Sequence, residues 1–199
     1  MLRVRSFRLL GVVLLVLCLA SFALAQDTVD FASPSSVVAA SFDAAKNIDM
    51  DRLAGLTHPE ALERFKEMMW PIFVYLEQHA DPQEAQNILA IFGLEQDSTS
   101  LADLPAEEFY VGFMNGLVAL IPAFKEAMTS AEYEVIGEVP EADSLVHVVI
   151  RAKATAMGIT TTEMSVETVR RYNEGWRLEL GAKFEGLAQQ IGAQLTSGL

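Results

Sequence analysis

Apolar residues recur at helical spacing along the first two thirds of the chain and at every second position after about residue 131. Ser33-Pro34 supplies an N-cap and a proline at the first helical position, and predicts a helix to about Asn47 with Val38, Phe42 and Ala45 on its inner stripe. Asp49-Met50-Asp51 opens a short helix to about Leu56. Thr57-His58-Pro59-Glu60 reads as a capping box, in which the hydroxyl and the carboxylate serve opposite backbone donors. The helix behind it carries Leu62, Phe65, Met69, Ile72 and Leu76, while Trp70, Phe73 and Tyr75 widen the apolar face. Pro71 removes a backbone donor and is expected to kink it. Asp81-Pro82 repeats the capping logic ahead of Ala85, Ile88, Leu89 and Phe92, and Gly93 is a C-terminal stop. After a polar loop, Pro105 starts the most apolar segment, Phe109 to Phe124, read as one buried helix. Its Gly112 and Gly116, one turn apart, would let another element approach closely.

Tyr133, Val135, Gly137 and Val139 alternate with acids, which is strand grammar. Leu145 to Ala156 is a second strand, Met157-Gly158 a turn, Ile159 to Tyr172 a third strand, Asn173-Glu174-Gly175 a hairpin turn and Trp176 to Leu180 a fourth strand. Side-chain parity points Val146, Val148 and Ile150 inward, against His147, Arg151 and Lys153. The same reasoning points Trp176, Leu178 and Leu180 inward, and Met164, Val166 and Thr168 inward against Glu163, Ser165 and Glu167. A small-residue helix over 182–197, striped by Phe184, Leu187, Ile191 and Leu195, closes the chain. The expected fold is α+β: N-terminal helices (33–130) packed on a curved antiparallel sheet of about four strands (131–181), with a C-terminal helix, all in one domain over 33–199.

Ahead of this domain, Arg3, Arg5 and Arg8 precede an apolar run from Leu9 to Ala20 and the small-x-small sequence Ala23-Leu24-Ala25. These are the parts of a secretory signal peptide over 1–25, with 26–32 a flexible leader behind it. The run is shorter than the roughly 20 residues a spanning helix needs, so an exported chain with no membrane span after cleavage is expected. Cleavage removes three arginines and the only cysteine, so the remaining chain has no thiol. It would carry 11 basic and 27 acidic residues, a net −16 against −13 for the whole sequence. Such acidity repels phosphate backbones and anionic headgroups, which argues against nucleic acid as a partner.

The stretches Val37-Val38-Ala39-Ala40-Ser41-Phe42-Asp43-Ala44-Ala45-Lys46-Asn47-Ile48-Asp49 and Leu53-Ala54-Gly55-Leu56-Thr57-His58-Pro59-Glu60 resemble the opening of nuclear-transport-factor-2-like domains, of the cystatin-like cone type. Val169-Arg170-Arg171-Tyr172-Asn173-Glu174-Gly175-Trp176-Arg177-Leu178 resembles their last hairpin. The resemblance implies a curved sheet wrapped against helices with a cavity between, and resembles most the uncharacterised exported bacterial members. Residues 80–130 add about two helices to that pattern. No activity follows, because such folds carry enzymes, binders and assembly modules alike.

Candidate chemistry is sparse. Three scattered histidines and no thiol after cleavage leave no zinc spacing, and neither a Gly-x-Ser-x-Gly elbow nor a His-Glu-x-x-His helix occurs. No cofactor is implied. His147 falls on the outward parity, His58 in the capping turn and His79 near a helix end; Asp43 is the helix acid nearest the start and sits beside the Phe42 stripe. Aromatics that could line one apolar pocket are Trp70, Phe73, Tyr110, Phe113, Tyr133 and Trp176, with Tyr75 and Phe109 beside them. The leading expectation is an exported non-catalytic domain that binds a small apolar ligand or a protein partner. One alternative is an envelope assembly or scaffold protein without ligand, a homo-oligomer through Phe109–Phe124 or Phe184–Leu195. The other is an isomerase- or dehydratase-like enzyme in which Tyr133 or a helix Asp meets a histidine inside the cone.

Overall fold

The structure, a computed structural model, describes residues 31–93 and 103–181, together with Gly186. The expected signal peptide (1–25), most of the leader, the loop after Gly93 and the C-terminal helix (182–197) lie outside the described residues, Gly186 apart. The helices are α1 (Pro34–Lys46), α2 (Met50–Leu56), α3 (Pro59–His79), α4 (Pro82–Ile91), α5 (Ala106–Leu120) and α6 (Pro122–Ser130). The strands are β1 (Glu132–Ala142), β2 (Leu145–Ala156), β3 (Ile159–Tyr172) and β4 (Gly175–Leu178). Helices followed by a four-stranded antiparallel sheet make the chain α+β. It divides into two compact units, one within Met1–His58 and Ile121–Glu179, the other within Pro59–Leu120 and Leu180–Leu199.

The first unit is the sheet with α1, α2 and α6. Ser33 caps α1 through reciprocal bonds with Ser36, and Asp49 caps α2 by accepting from the Arg52 N–H at 3.0 Å. Such local bonds satisfy the amides that a helix start leaves orphaned. The strands lie in the order β1-β2-β3-β4, each antiparallel to its neighbour. Helix α1 crosses the inner face and touches all four strands, while α6 packs on β2. Beneath them lie Val146, Val148, Ile150, Ala152, Ala154 and Ala156, all buried. The alanines let α6 seat Phe124, Ala127 and Met128 closely, and the Ser130 hydroxyl ties its end to Thr155 by donating to the carbonyl at 2.8 Å. The strand β4 edge is covered. Phe31, at the end of the expected flexible leader, accepts from the Trp176 N–H at 3.1 Å, and the His58 N–H donates to the Leu178 carbonyl at 2.8 Å. A Cβ at Gly175 would fall 2.9 Å from the Phe31 Cβ, so this closeness depends on the glycine.

The second unit is built from α3, α4 and α5. Helix α3 runs through Pro71 without a break, and the Thr57 hydroxyl just ahead of it donates to Leu53, closing the preceding helix. Phe65, Met69 and Phe73 of α3 are buried, as are Phe109, Tyr110 and Phe113 of α5. Gly112 and Gly116 admit Phe92, as their spacing suggested: a Cβ on Gly116 would fall 2.2 Å from the Phe92 ring, and one on Gly112 2.7 Å from its carbonyl oxygen. The apolar segment Phe109–Phe124 is two helices rather than one. Pro122 cannot donate into α5 and favours an extended residue before it, so α5 ends at Leu120 and Pro122 opens α6.

Candidate functional site

The parity expected for β3 is reversed. Met164 and Val166 are 53% and 55% exposed, whereas Ser165 is buried and Glu163 and Glu167 are half-buried on the helix-covered face. The two hairpins impose this. Met157-Gly158 is a two-residue turn with φ of 53° and 74°, which sets Ala156 opposite Ile159. Asn173-Glu174 likewise sets Tyr172 opposite Gly175 and Arg171 opposite Trp176. Because side chains alternate, inward Ala156 and inward Trp176 both force the odd-numbered residues of β3 inward. The register could be worked out from the turn lengths, but the short apolar pair Met164/Val166 argued the other way.

The outer face therefore carries a row of apolar side chains. Val166 stands opposite Val149, Met164 opposite Arg151, and Val139, 54% exposed, opposite His147. Around them the charges are paired across strands: Lys153 Nζ donates to Glu132 at 3.0 Å, and Arg151 Nη1 to Glu134 at 2.6 Å. Bulges at Ile136 and Glu141 re-aim β1, and the second brings Glu141 Oε2 to 2.6 Å from His147 Nε2. His147 Nδ1 lies 3.0 Å from the Thr168 hydroxyl. In the neutral ring with its proton on Nε2, the imidazole donates to Glu141 and accepts from Thr168. This lines up a hydroxyl, an imidazole and a carboxylate, but on an open face where the Glu141 side chain is 60% exposed and water competes for each bond. Its evident work is to tie β1, β2 and β3 together.

At the β4 side of the same face, Arg170 Nε donates to Glu179 at 2.5 Å and Nη2 to His58 Nδ1 at 2.9 Å. The Arg177 guanidinium lies 3.8 Å over the Phe31 ring and 5.7 Å from that of Tyr172. Burial lowers its pKa from the usual value, and Tyr172 acts in the opposite direction. Arg177 meets no carboxylate among the described residues.

The six aromatics singled out from the sequence fall in both units. Phe73, Tyr110 and Phe113 share the second unit's ring cluster, where Phe65 meets Phe113 at 5.1 Å and Tyr110 at 5.2 Å, and Phe73 meets Phe113 at 6.2 Å. These edge contacts fill space with the rings themselves. Trp70 is half-buried on α3. Tyr133 and Trp176 stand on β1 and β4, three strands apart, and their levels on β3, Glu163 and Arg171, differ by eight residues, so at roughly 4.8 Å per strand and 3.3 Å per residue they are about 30 Å apart.

Tyr133 stacks on Phe42 at 4.3 Å and 11°. Its hydroxyl is pushed up to about 12, by burial first and by the Asp43 carboxylate second. Asp43 is itself held by Arg52 at 2.7 Å. No histidine joins them: His58 sits beside Arg170, His147 is on the outer face, and His79 stacks on Tyr75 at 4.1 Å in the other unit. A folded pKa above the ordinary 10.0 leaves stability unchanged below that pH. As pH rises toward about 12, the unfolded chain ionises while the folded one resists, and stability falls. An ultraviolet titration should show a tyrosine ionising near pH 12 that Tyr133→Phe removes; a titration in that range that the substitution leaves unchanged would contradict the buried placement.

Among the described residues, no cluster of His, Cys, Asp and Glu has a metal-binding arrangement, and no single helix is long and apolar enough to cross a membrane. Comparison of the chain with protein-family models, with curated proteins and with solved structures finds no match.

Proposed function

We propose that this chain is an exported, non-catalytic domain of the nuclear-transport-factor-2-like type that works by binding a protein partner across the outer face of its sheet. The observation that carries the reading is the row of Val139, Val166 and Met164, each more than half exposed, with half-buried Val149 among them, bordered by ion pairs. A contiguous apolar patch with a polar rim is the anatomy of a protein interface. The sheet's open side, not its edges, is the accessible feature: β4 is covered by Phe31 and His58, and β1 is guarded by bulges, Pro140 and acids. Export rests on the arginine, apolar and Ala-Leu-Ala pattern of 1–25. The family reading rests on the three sequence stretches and on the order of helices before a four-stranded meander.

A protein partner is favoured over a small apolar ligand because the candidate pocket aromatics of the second unit pack on one another. The test places a photo-crosslinking residue at Val149 in the exported protein, with a control at exposed Asp51. A discrete adduct from Val149 and none from Asp51 is expected. No adduct from Val149 would overturn the reading.

A further inference from the structure

We infer that Met164 is an oxidation site through which a peroxide switches this binding face off: conversion of its thioether to the sulfoxide turns the apolar row polar and leaves the fold intact. The inference rests on the binding-face reading above and adds its regulation.

The methionines are sorted by exposure. All but Met1 of the eight lie among the described residues. Met50, Met69, Met114 and Met128 are core side chains no more than 3% exposed, and Met68 is half-buried. Met157, in the β2–β3 turn, and Met164 are each more than half exposed. Thioether oxidation follows access to the sulfur, so a solvent-borne oxidant reaches these two first. The sulfurs whose oxidation would break core packing are shielded. Met157 stands outside the row, seven residues from Met164, about 23 Å at roughly 3.3 Å per residue. Met164 is thus the member of the row whose chemistry can change, since the others are valines. In the exported chain the only cysteine, Cys18, is gone with the signal peptide, so no thiol competes for the oxidant.

The step balances. A lone pair of the Met164 sulfur attacks one oxygen of hydrogen peroxide, an S–O bond forms and the O–O bond breaks. The second oxygen leaves as hydroxide and takes the proton of the first, giving water. Sulfur gives up two electrons, and the peroxide accepts them.

The neighbours fix the consequence. Met164 stands directly opposite Arg151, at a spacing of about 5 Å between facing Cβ atoms, and diagonal to Val149. Arg151 is held by Glu134 at 2.6 Å, with both side chains more than half exposed, so water competes for that pair. A sulfoxide oxygen is a strong acceptor in reach of the same guanidinium. Oxidation therefore sets a dipole in the apolar row and draws a rim cation toward it. A partner whose apolar surface covers the row must then desolvate both, which weakens binding by at least about tenfold.

The chain carrying the Val149 crosslinker is treated with dilute hydrogen peroxide, freed of it, and examined by peptide mass mapping and circular dichroism before crosslinking below saturation. Met157 and Met164 should each gain one oxygen at least about tenfold faster than Met50, Met69, Met114 and Met128, with the spectrum unchanged. The Val149 adduct should fall by about tenfold and return after treatment with methionine sulfoxide reductases. Met164→Leu, which leaves Met157 open to oxidation, should keep its adduct through the treatment. Untreated Met164→Gln, polar like the sulfoxide, should already lack it. Oxidation of Met164 no faster than that of the four core methionines, a changed spectrum, equal loss of adduct in Met164→Leu, or a full adduct from Met164→Gln would each overturn the proposal. No adduct before treatment ends the binding-face reading and the switch with it, whereas an adduct that survives oxidation of Met164 ends the switch alone.

Discussion

Replacing Trp176 by Ala should lower stability by about 3–5 kcal/mol, the loss typical of a buried tryptophan. The side chain is only 6% exposed, and its position in the short strand β4 explains how four residues hold a place in the sheet. The ring lies on the face crossed by α1, with the Arg171 guanidinium 4.7 Å from its centroid and the backbone N–H given to Phe31. Truncation opens a cavity beneath a strand whose outer edge is closed by Phe31 and His58, so relaxation costs contacts with both α1 and Phe31. In a chain of this size the loss corresponds to a melting-temperature drop of about 6–20 °C. Urea denaturation followed by far-ultraviolet circular dichroism reads it directly. A loss under about 1 kcal/mol would mean the ring does not fill the space between α1 and β4.

The second unit has its own keystone. Phe65→Ala should also cost about 3–5 kcal/mol. Phe65 is 1% exposed and meets Phe113, Tyr110 and Phe109 at 5.1, 5.2 and 6.1 Å, so one side chain joins α3 to α5 through three ring contacts. Each such contact adds about 0.5–1.5 kcal/mol beyond area burial, and a methyl group replaces none of them. Phe65→Leu keeps most of the volume but loses the edge-to-face geometry, and should cost less than the Ala variant. Trp70 fluorescence during urea unfolding reports on this unit, since the other tryptophan, Trp176, lies in the first. Equal losses from Leu and Ala would show that ring geometry, rather than volume, dominates the cluster.

Element by element, the chain announces its local structure. Ser33-Pro34, Asp49 and Asp81-Pro82 place three helix starts, because a cap is settled by bonds spanning about four residues. Gly112 and Gly116 marked a close approach that Phe92 makes, although nothing in their spacing named Phe92. Among the described residues, the helix misread over Phe109 to Phe124 was legible too: Pro122 carried the break, and continuous hydrophobicity obscured it.

The candidate site was harder to see. In β3 either parity offers a similar mix of Thr, Glu, Ser and short apolar residues, so composition along that strand cannot orient it. The two flanking turns do, by locking it to β2 and β4, whose inner faces are unambiguous. That single decision sends Glu163, Ser165 and Glu167 toward the helices and Met164 and Val166 to the exposed side.

The sequence by itself determined the α+β order, the caps at Ser33, Asp49 and Asp81, the turns and the burial of Val146, Val148, Ile150, Trp176 and Leu178. Only the tertiary structure decided that β3 shows its apolar pair outward, that Glu141 reaches His147, and that Arg177 stands between Phe31 and Tyr172 without a carboxylate among the described residues. The physical reason is range. Capping and turning are settled by hydrogen bonds between residues a few positions apart, whereas the face of β3 needs both of its hairpins at once, Glu141 reaches His147 only through the bulge in the β1–β2 register, and the Phe31 ring over Arg177 comes from 146 positions away.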